Sequence, residues 1–395
     1  MNVCKRLRRR SVDECYHGDR FISASYFSSS MLAKMRVEAK YGHWLDDRPM
    51  DFDSLVTCLD WSHDGQLLMV GRRRNCLQVL QPFGESPYGR RIDLGEQSGE
   101  FVSFMPGSSN VFAVCLQKAF SSNWLFLLSD YRHDHVKIFD LGRATAVRRY
   151  NFFGSAKKTC TLPLDPNTIW FNVERRKCSL GEADVREPGF RVSRFNVGKE
   201  TAPSCMRDFD LSPEDKHLIA VADHSNVGVF DRRMVGEKRP PVMRLDGLFA
   251  GNAAQNWYTS DVKFHPNGRE LVINYSHRYN FEHQVFVCQL GCGEGTQAKP
   301  LQVPKEAGQS TMRLKNPCFL GPSGRYLMLD LCLNSYSVVF DCDEGAYVGK
   351  LKGSDAFEVN SLPVLNFNTL SRPHPKFCLV AVADRSFVNL IAPAV

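Results

Sequence analysis

The sequence lacks any long apolar run; the longest, Trp124 to Leu128, is far short of the ~20 residues that a membrane-spanning helix needs. No transmembrane helix is expected. The amino terminus, MNVCKRLRRRSVDE, opens on basic residues with no apolar core behind them, so a secretory signal is not expected and the chain reads as intracellular, nuclear or cytoplasmic. Paired metal ligands are also lacking. Cys288 and Cys292 have no Cys or His pair downstream at zinc spacing, and His277 and His283 flank a hairpin tip with only Glu282 nearby. Gly291, Gly293 and Gly295 follow a strand with no helix behind them to hold a phosphate. Asp223-His224-Ser225 has the residue types of a hydrolase triad, but consecutive turn residues cannot form its relay. Neither cofactor nor catalysis is expected.

What is present is an ordinary globular composition: 395 residues, 43% hydrophobic and 24% charged, with 14 cysteines. The cysteines are scattered through apolar stretches (Cys58, Cys115, Cys288, Cys318, Cys332, Cys378), a pattern of buried reduced thiols rather than a disulfide framework. The net charge of +7 is clustered at Lys5 to Arg10 and at Arg72 to Arg74. The first cluster reads as a solvated tail or an import signal, the second as a hairpin turn.

The most informative stretch is Leu218 to Val235, LIAVADHSNVGVFDRRMV. It reads strand, turn at Asp223 to Asn226, then a strand closing on Phe230-Asp231. An aromatic-Asp pair in that place ends a WD-repeat unit, one blade of a β-propeller, with a period of ~40–45 residues. Six further units fit. They begin near Leu55 (LVTCLDWSHDGQLLMVG), Phe101 (closing on HVKIFD), Lys157 (LPLDPNTIWFNVE, then FRVSRFNV as the third strand), Trp257, Asn316 and Asn360. Phe120 to His133 and Arg175 to Pro188 read as loop insertions.

The expectation is an all-β, single propeller of about seven blades over 54–395, after a basic tail at 1–28 and a helix with a closing strand at 29–53. Ser28 to Ser30 offer a cap, and Met31, Leu32, Met35 and Ala39 recur at helical spacing. The last unit has no sequence left for a fourth strand, so VEAKYGHW (Val37 to Trp44) should supply it and close the ring.

The segments MRVEAKY, VTCLDWSHDGQLLMVG, TLPLDPNTIWF, VGVFDRRMVG, GRELVINYS and KNPCFLGPSGRYLML, in that order, resemble the Cullin-4-associated factors. The likeness runs over about residues 30 to 392 and is nearest to the subgroup of the nuclear-receptor-interaction protein and the tetratricopeptide-bearing WD protein. It implies a substrate receptor, whose propeller docks on the adaptor propeller of the Cullin-4 RING ubiquitin ligase and presents a client protein elsewhere. The family's adaptor signature, aromatic-Asp-any-Arg, is matched by Phe230, Asp231 and Arg233, while Gly142, Gly198 and Asp343 stand where other units would carry the arginine. On this reading the helix at Met31, Leu32 and Met35 and the rim at Arg233 face the adaptor. The alternatives are a scaffold or chromatin-associated propeller without ligase docking, and a nucleic-acid binder using the basic clusters; proteins, not nucleic acid or membrane, are the expected partners.

Overall fold

The computed structural model describes residues 35–41 and, with short breaks, 56–93, 125–248, 256–352 and 370–393. Strand β1 (Met35–Tyr41) comes first, followed by β2 (Val56–Trp61), β3 (Leu68–Arg72), β4 (Cys76–Leu80) and β5 (Arg90–Asp93), which make the first sheet. The second contains β6 (Leu125–Ser129), β7 (His135–Asp140) and β8 (Thr145–Asn151). The third is β9 (Thr159–Leu162), β10 (Asp165–Asn172), β11 (Ser179–Asp184) and β12 (Arg191–Arg194). In the fourth, β13 (Met206–Leu211), β14 (Leu218–Asp223) and β15 (Asn226–Asp231) lead through a 3₁₀ turn at Arg232–Met234 to β16 (Met243–Arg244). The fifth is β17 (Trp257–Phe264), β18 (Glu270–His277), β19 (His283–Gln289) and β20 (Ala298–Leu301). The sixth is β21 (Leu314–Leu320), β22 (Tyr326–Leu331), β23 (Tyr336–Asp341) and β24 (Ala346–Lys352). The seventh takes β25 (Leu370–Pro373), β26 (Val380–Asp384) and β27 (Phe387–Pro393), and adds β1 beside β27. All pairings given for these strands are antiparallel, as short hairpin connections require.

The second strand of a sheet is apolar without interruption because its two faces pack on different neighbours. In β14, Ile219 and Val221 join a buried cluster with Trp170, Leu180 and Phe195 of the third sheet. Ala220 and Ala222, on the alternate face, join Val262, Ile273 and Tyr275 of the fifth. β22 repeats the arrangement: Leu327 and Leu329 pack with Val272 and Val285, and Tyr326 and Met328 with Val380 and Val382. The core is therefore a series of layers between successive sheets. Each buried Val, Leu or Ile contributes about 2 kcal/mol.

Polar bonds on the innermost strands tie the same sheets together. Asp208 accepts a hydrogen bond from the Val262 backbone N–H at 2.8 Å, and Asp210 from that of Phe264 at 2.8 Å, joining β13 to β17. Lys158 reaches Asp208 at 2.8 Å from the third sheet, and Lys263 meets Asp210 at 3.0 Å. Asp261 accepts from the Asn316 N–H at 3.3 Å, joining β17 to β21. Nearby, His283 is buried between Ser276 Oγ and the Leu314 N–H, each at 3.1 Å, so this ring is occupied in holding the fifth sheet to the sixth.

The ends of the chain meet at two places. Within the seventh sheet β1 runs antiparallel to β27, from Met35 opposite Pro393 to Tyr41 opposite Val388. Between the seventh and first sheets, Trp61 Nε1 donates to the Arg372 carbonyl at 3.1 Å and His374 Nε2 donates to the Gly65 carbonyl at 3.0 Å. The Lys376 and Phe377 N–H groups, both 3.0 Å from His374 Nδ1, fix that tautomer. Gly65, at φ +75, belongs to the Ser-His-Asp-Gly turn, and a Cβ there would run into the His374 ring.

Three expectations are corrected. The helix expected around Met31, Leu32 and Met35 is strand from Met35 onward, and Met31 and Leu32 lie outside the described residues. Met35, Val37, Ala39 and Tyr41 also alternate with Arg36, Glu38 and Lys40, and the open edge of β27 selects that period by offering backbone partners. The insertion expected at Phe120 to His133 contains β6, paired with β7 from Leu125 opposite Asp140. The connection expected at Arg175 to Pro188 contains β11, so the strand within FRVSRFNV is the fourth of its sheet rather than the third.

Burial lowers the His374 pKa from 6.5 to about 3. A depressed basic group stabilises the fold in its neutral form, fully above pH 6.5, and that contribution drains away as pH falls from 6.5 toward 3. Urea denaturation at pH 7 and 4.5 should show the protein losing about 2–3 kcal/mol more than a His374→Gln variant. The variant comparison is needed because burial raises the Asp208 pKa, which gives a slope of opposite sign.

Candidate protein-docking site

Phe230 anchors the signature from inside. It is buried on β15 and meets Phe195 edge-on at 5.1 Å, so the fourth sheet is clamped to the third just before the chain surfaces. Asp231 ends β15, and the tight 3₁₀ turn that follows brings the Arg233 backbone N–H to Asp231 Oδ1 at 2.9 Å. The side chain folds back as well. Arg233 Nε lies 3.0 and 3.2 Å from the two carboxylate oxygens, and one Nη donates to Oδ2 at 2.6 Å. The Arg233 side chain is nevertheless 63% exposed. Two N–H edges of the guanidinium are thus used to hold it still, and the remaining N–H groups face outward. The charge-assisted bonds from Arg233 hold the Asp231 pKa down at about 2.

Asp231 and Arg233 thus chelate each other. Rigidity is the consequence, since an arginine already fixed by a carboxylate loses less side-chain entropy when a partner binds.

A second pair has the same geometry. Asp184 ends β11, also the third strand of its sheet, and accepts the Arg186 backbone N–H at 2.9 Å and Arg186 Nε at 2.8 and 3.2 Å. An Nη closes the chelate at 2.5 Å, with the Arg186 side chain 53% exposed. The Arg186 bonds likewise lower the Asp184 pKa. Both pairs lie at third-strand ends of successive sheets, which places them on one rim. Tyr150 of β8 supports the first of them by donating its hydroxyl toward the carbonyls of Asp184 and Glu187, each at 3.1 Å.

Arg232 stands between Asp231 and Arg233 in the chain. It crosses to the third sheet, where it lies 3.6 Å from Glu182 and 5.7 Å over the Trp170 ring. Met234, 56% exposed, and Val242, 68% exposed, add apolar surface beside Arg233. In the sixth sheet the equivalent carboxylate, Asp341, is held instead by Arg325 at 2.8 Å and by the N–H groups of Asp343 and Glu344, which matches the missing arginine at Asp343.

Sequence reasoning missed Arg186. Its signal, Asp-any-Arg at the end of a third strand, was present, but Ala183 stands where the aromatic residue was sought and the segment GEADVRE looks like a solvated connection. Met35 was expected to join Arg233 in one surface. It sits in the seventh sheet, separated from the fourth by the first, second and third on one side and the fifth and sixth on the other. Of the residues in the hydrolase-like triplet, Asp223 is buried at the end of β14, His224 is exposed beside the Tyr258 ring, and Ser225 lies outside the described residues. His277 accepts the Tyr279 N–H and packs on Trp257, apart from His283's own buried bonds. Among the described residues no group of His, Cys, Asp and Glu is placed to hold a metal, and no helix is long and apolar enough to cross a membrane.

The sequence matches no protein-family model and no curated protein. Among solved structures the chain is similar to the β-propeller domain of Cps50 (Swd1) from Myceliophteria thermophila, with a TM-score of 0.62 and 12% identity, covering 91% of this chain and 100% of that one. At that identity the likeness speaks for architecture alone, and the architecture is a β-propeller.

Thermal melts should separate structural from surface arginines. Arg232→Ala, which removes a cross-sheet ion pair and a ring contact, should destabilise the protein by about 1 kcal/mol. Arg186→Ala and Arg233→Ala should leave the melting temperature unchanged.

Proposed function

We propose that this chain is a WD-repeat propeller of seven blades that bridges two proteins without catalysing a reaction. Its role is that of a substrate receptor of a Cullin-4 RING ubiquitin ligase, docking on the ligase's adaptor through the rim that carries Arg186 and Arg233. The observation that carries the reading is the repetition of one device on successive blades. Each of two arginines is chelated by the aspartate two residues before it and is more than half exposed, and Arg232 links the two sheets that carry them by meeting Glu182. A solitary rim arginine is an ordinary solvated charge. Two guanidiniums, each chelated and more than half exposed, next to exposed Met234, make a surface suited to a carbonyl-rich protein face.

The sequence resemblance suggests the adaptor as the owner of that face, and Asp184 with Arg186 adds a second Asp-any-Arg, with Ala183 in place of the signature's aromatic residue. The role given to the amino-terminal segment changes accordingly. Met35 to Tyr41 completes the seventh sheet, so its contribution to docking is to keep the ring intact.

Titration of the full chain against the Cullin-4 adaptor tests the reading. The protein should bind, Arg186→Asp and Arg233→Asp should each weaken binding about tenfold, and the double variant should weaken it further, all with unchanged melting temperature. A folded protein that does not bind, or that binds equally well without both arginines, leaves a scaffold propeller without ligase docking as the function.

A further inference from the structure

The opposite end of the fourth and fifth sheets carries cations in a different state. Met206 pairs with Asp223 and Trp257 with His277, so the start of β13, the end of β14, the start of β17 and the end of β18 lie together, away from Asp231, which pairs with Leu218. Arg207, Tyr258, His224, Arg278 and Tyr279 emerge here. The Arg207 guanidinium lies 5.4 Å over the Tyr258 ring, and that of Arg278 lies 5.8 Å over Tyr279. His224 approaches the same Tyr258 ring at 6.5 Å. Tyr279 is 69% exposed.

These arginines are positioned by aromatic faces instead of carboxylates. Among the described residues neither Arg207 nor Arg278 is ion-paired, whereas Arg186, Arg233 and Arg325 each have an aspartate. Stacking on a ring fixes the plane of a guanidinium and leaves its N–H fork free in that plane. Among the described residues the acidic groups of the neighbourhood are Asp223, which is buried, and Glu282, at the other side of the β18–β19 turn.

The backbone that carries this surface is unusually fixed. His224 sits at φ 27, a left-handed conformation that non-glycine residues seldom adopt, and its carbonyl accepts the Thr259 N–H of the next sheet. Arg278 is held by its own N–H on the Asn256 carbonyl at 2.8 Å. Burial, then the charge of Arg207, lowers the His224 pKa, with Asp223 opposing and Arg278 adding a smaller effect.

We propose that Arg207, Arg278, Tyr258, Tyr279 and His224 form a docking site for an acidic peptide segment of a partner protein, with the two guanidiniums forking carboxylate or phosphoryl oxygens and Tyr279 taking an adjacent apolar side chain. Two cations suit a short anionic motif. They are too few to follow a nucleic-acid backbone, which takes a run of phosphate contacts. The inference rests on the two-protein reading above only in making this the client face; peptide binding is measured without the adaptor, so either idea can fail alone.

The test is fluorescence titration of the full chain with three labelled peptides of one length. One carries a run of Asp and Glu beside a Leu, one a phosphoserine in that place, and one Asn and Gln throughout. A single-stranded oligonucleotide of matching charge is the fourth probe. The acidic or the phosphorylated peptide should bind at least tenfold more tightly than the neutral one, and the tighter of the two identifies the anion. Arg207→Gln and Arg278→Gln should each weaken it about tenfold, with Tyr279→Ala weakening it severalfold and Arg186→Asp having no effect. Equal affinity for all three peptides, or unchanged affinity in both glutamine variants, overturns the site. Preference for the oligonucleotide with a steep salt dependence overturns the class of partner.

Discussion

The carboxylates of the innermost strands, buried at Asp208 and Asp210 and half-buried at Asp261, are what the architecture depends on. Asp208 and Asp210 each accept a backbone N–H from β17, and Asp261 accepts one from β21, so neighbouring sheets are bonded across their narrow inner ends, where apolar side chains have least room to interlock. An unpaired carboxylate there would be costly, and the neighbouring ammonium groups of Lys158 and Lys263 offset the charge. Both lysines are packed among protein groups yet keep 31% and 38% of their side-chain surface open. Cys160 donates its thiol toward Asp210, and burial raises its pKa to about 11, so it takes part in this network as a neutral group.

With the inner ends bonded, the outer layers need only alternating apolar faces. That is why so few positions of the repeat have to be kept. No Trp-Asp pair occurs in the chain, and the one Gly-His pair falls outside the described residues. Aspartates at the third-strand ends persist at Asp184, Asp231 and Asp341, and at all three the carboxylate caps the turn behind it by taking a backbone N–H two residues on. The same carboxylates are then available to hold an arginine. A structural device for ending a strand thus becomes the mount for a surface charge.

Most of the sheet structure was legible because apolar period two, broken by Asp-His-Ser-Asn, Pro-Asn-Gly and Pro-Ser-Gly turns, leaves little choice of element. It became illegible where two readings share residues. Met31, Leu32, Met35 and Ala39 satisfy a helix, and Met35, Val37, Ala39 and Tyr41 satisfy a strand; only the unpaired edge of β27, more than three hundred residues away, decides. In the third sheet, charge misled. SLGEAD is buried on one face despite Glu182 and Asp184, because Glu182 meets Arg232 and Asp184 meets Arg186. Placing that strand in the connection shifted the fourth strand into third place and concealed Arg186. The surface at Arg207 and Arg278 had no local signal at all, since Arg207, His224, Tyr258 and Arg278 come together only through the pairing of separate hairpins.

The two ends of the fourth sheet consequently differ in what an arginine can do there. On the rim, each positive charge is balanced by the aspartate that holds it, so the pair exerts little field beyond a Debye length of ~8 Å and acts mainly by direct hydrogen bonding. Such a surface suits a partner whose affinity comes from contact area and carbonyl acceptors. At the opposite end the guanidiniums of Arg207 and Arg278 are held by rings, which supply geometry without cancelling charge. Their field extends into solvent and favours anionic partners before contact. A protein that must hold one partner steadily while sampling others gains from this division. On the proposed reading the rim is the steady contact, rigid and electrically quiet, and the opposite end is the sampling one, charged and carried by a turn with His224 at φ 27.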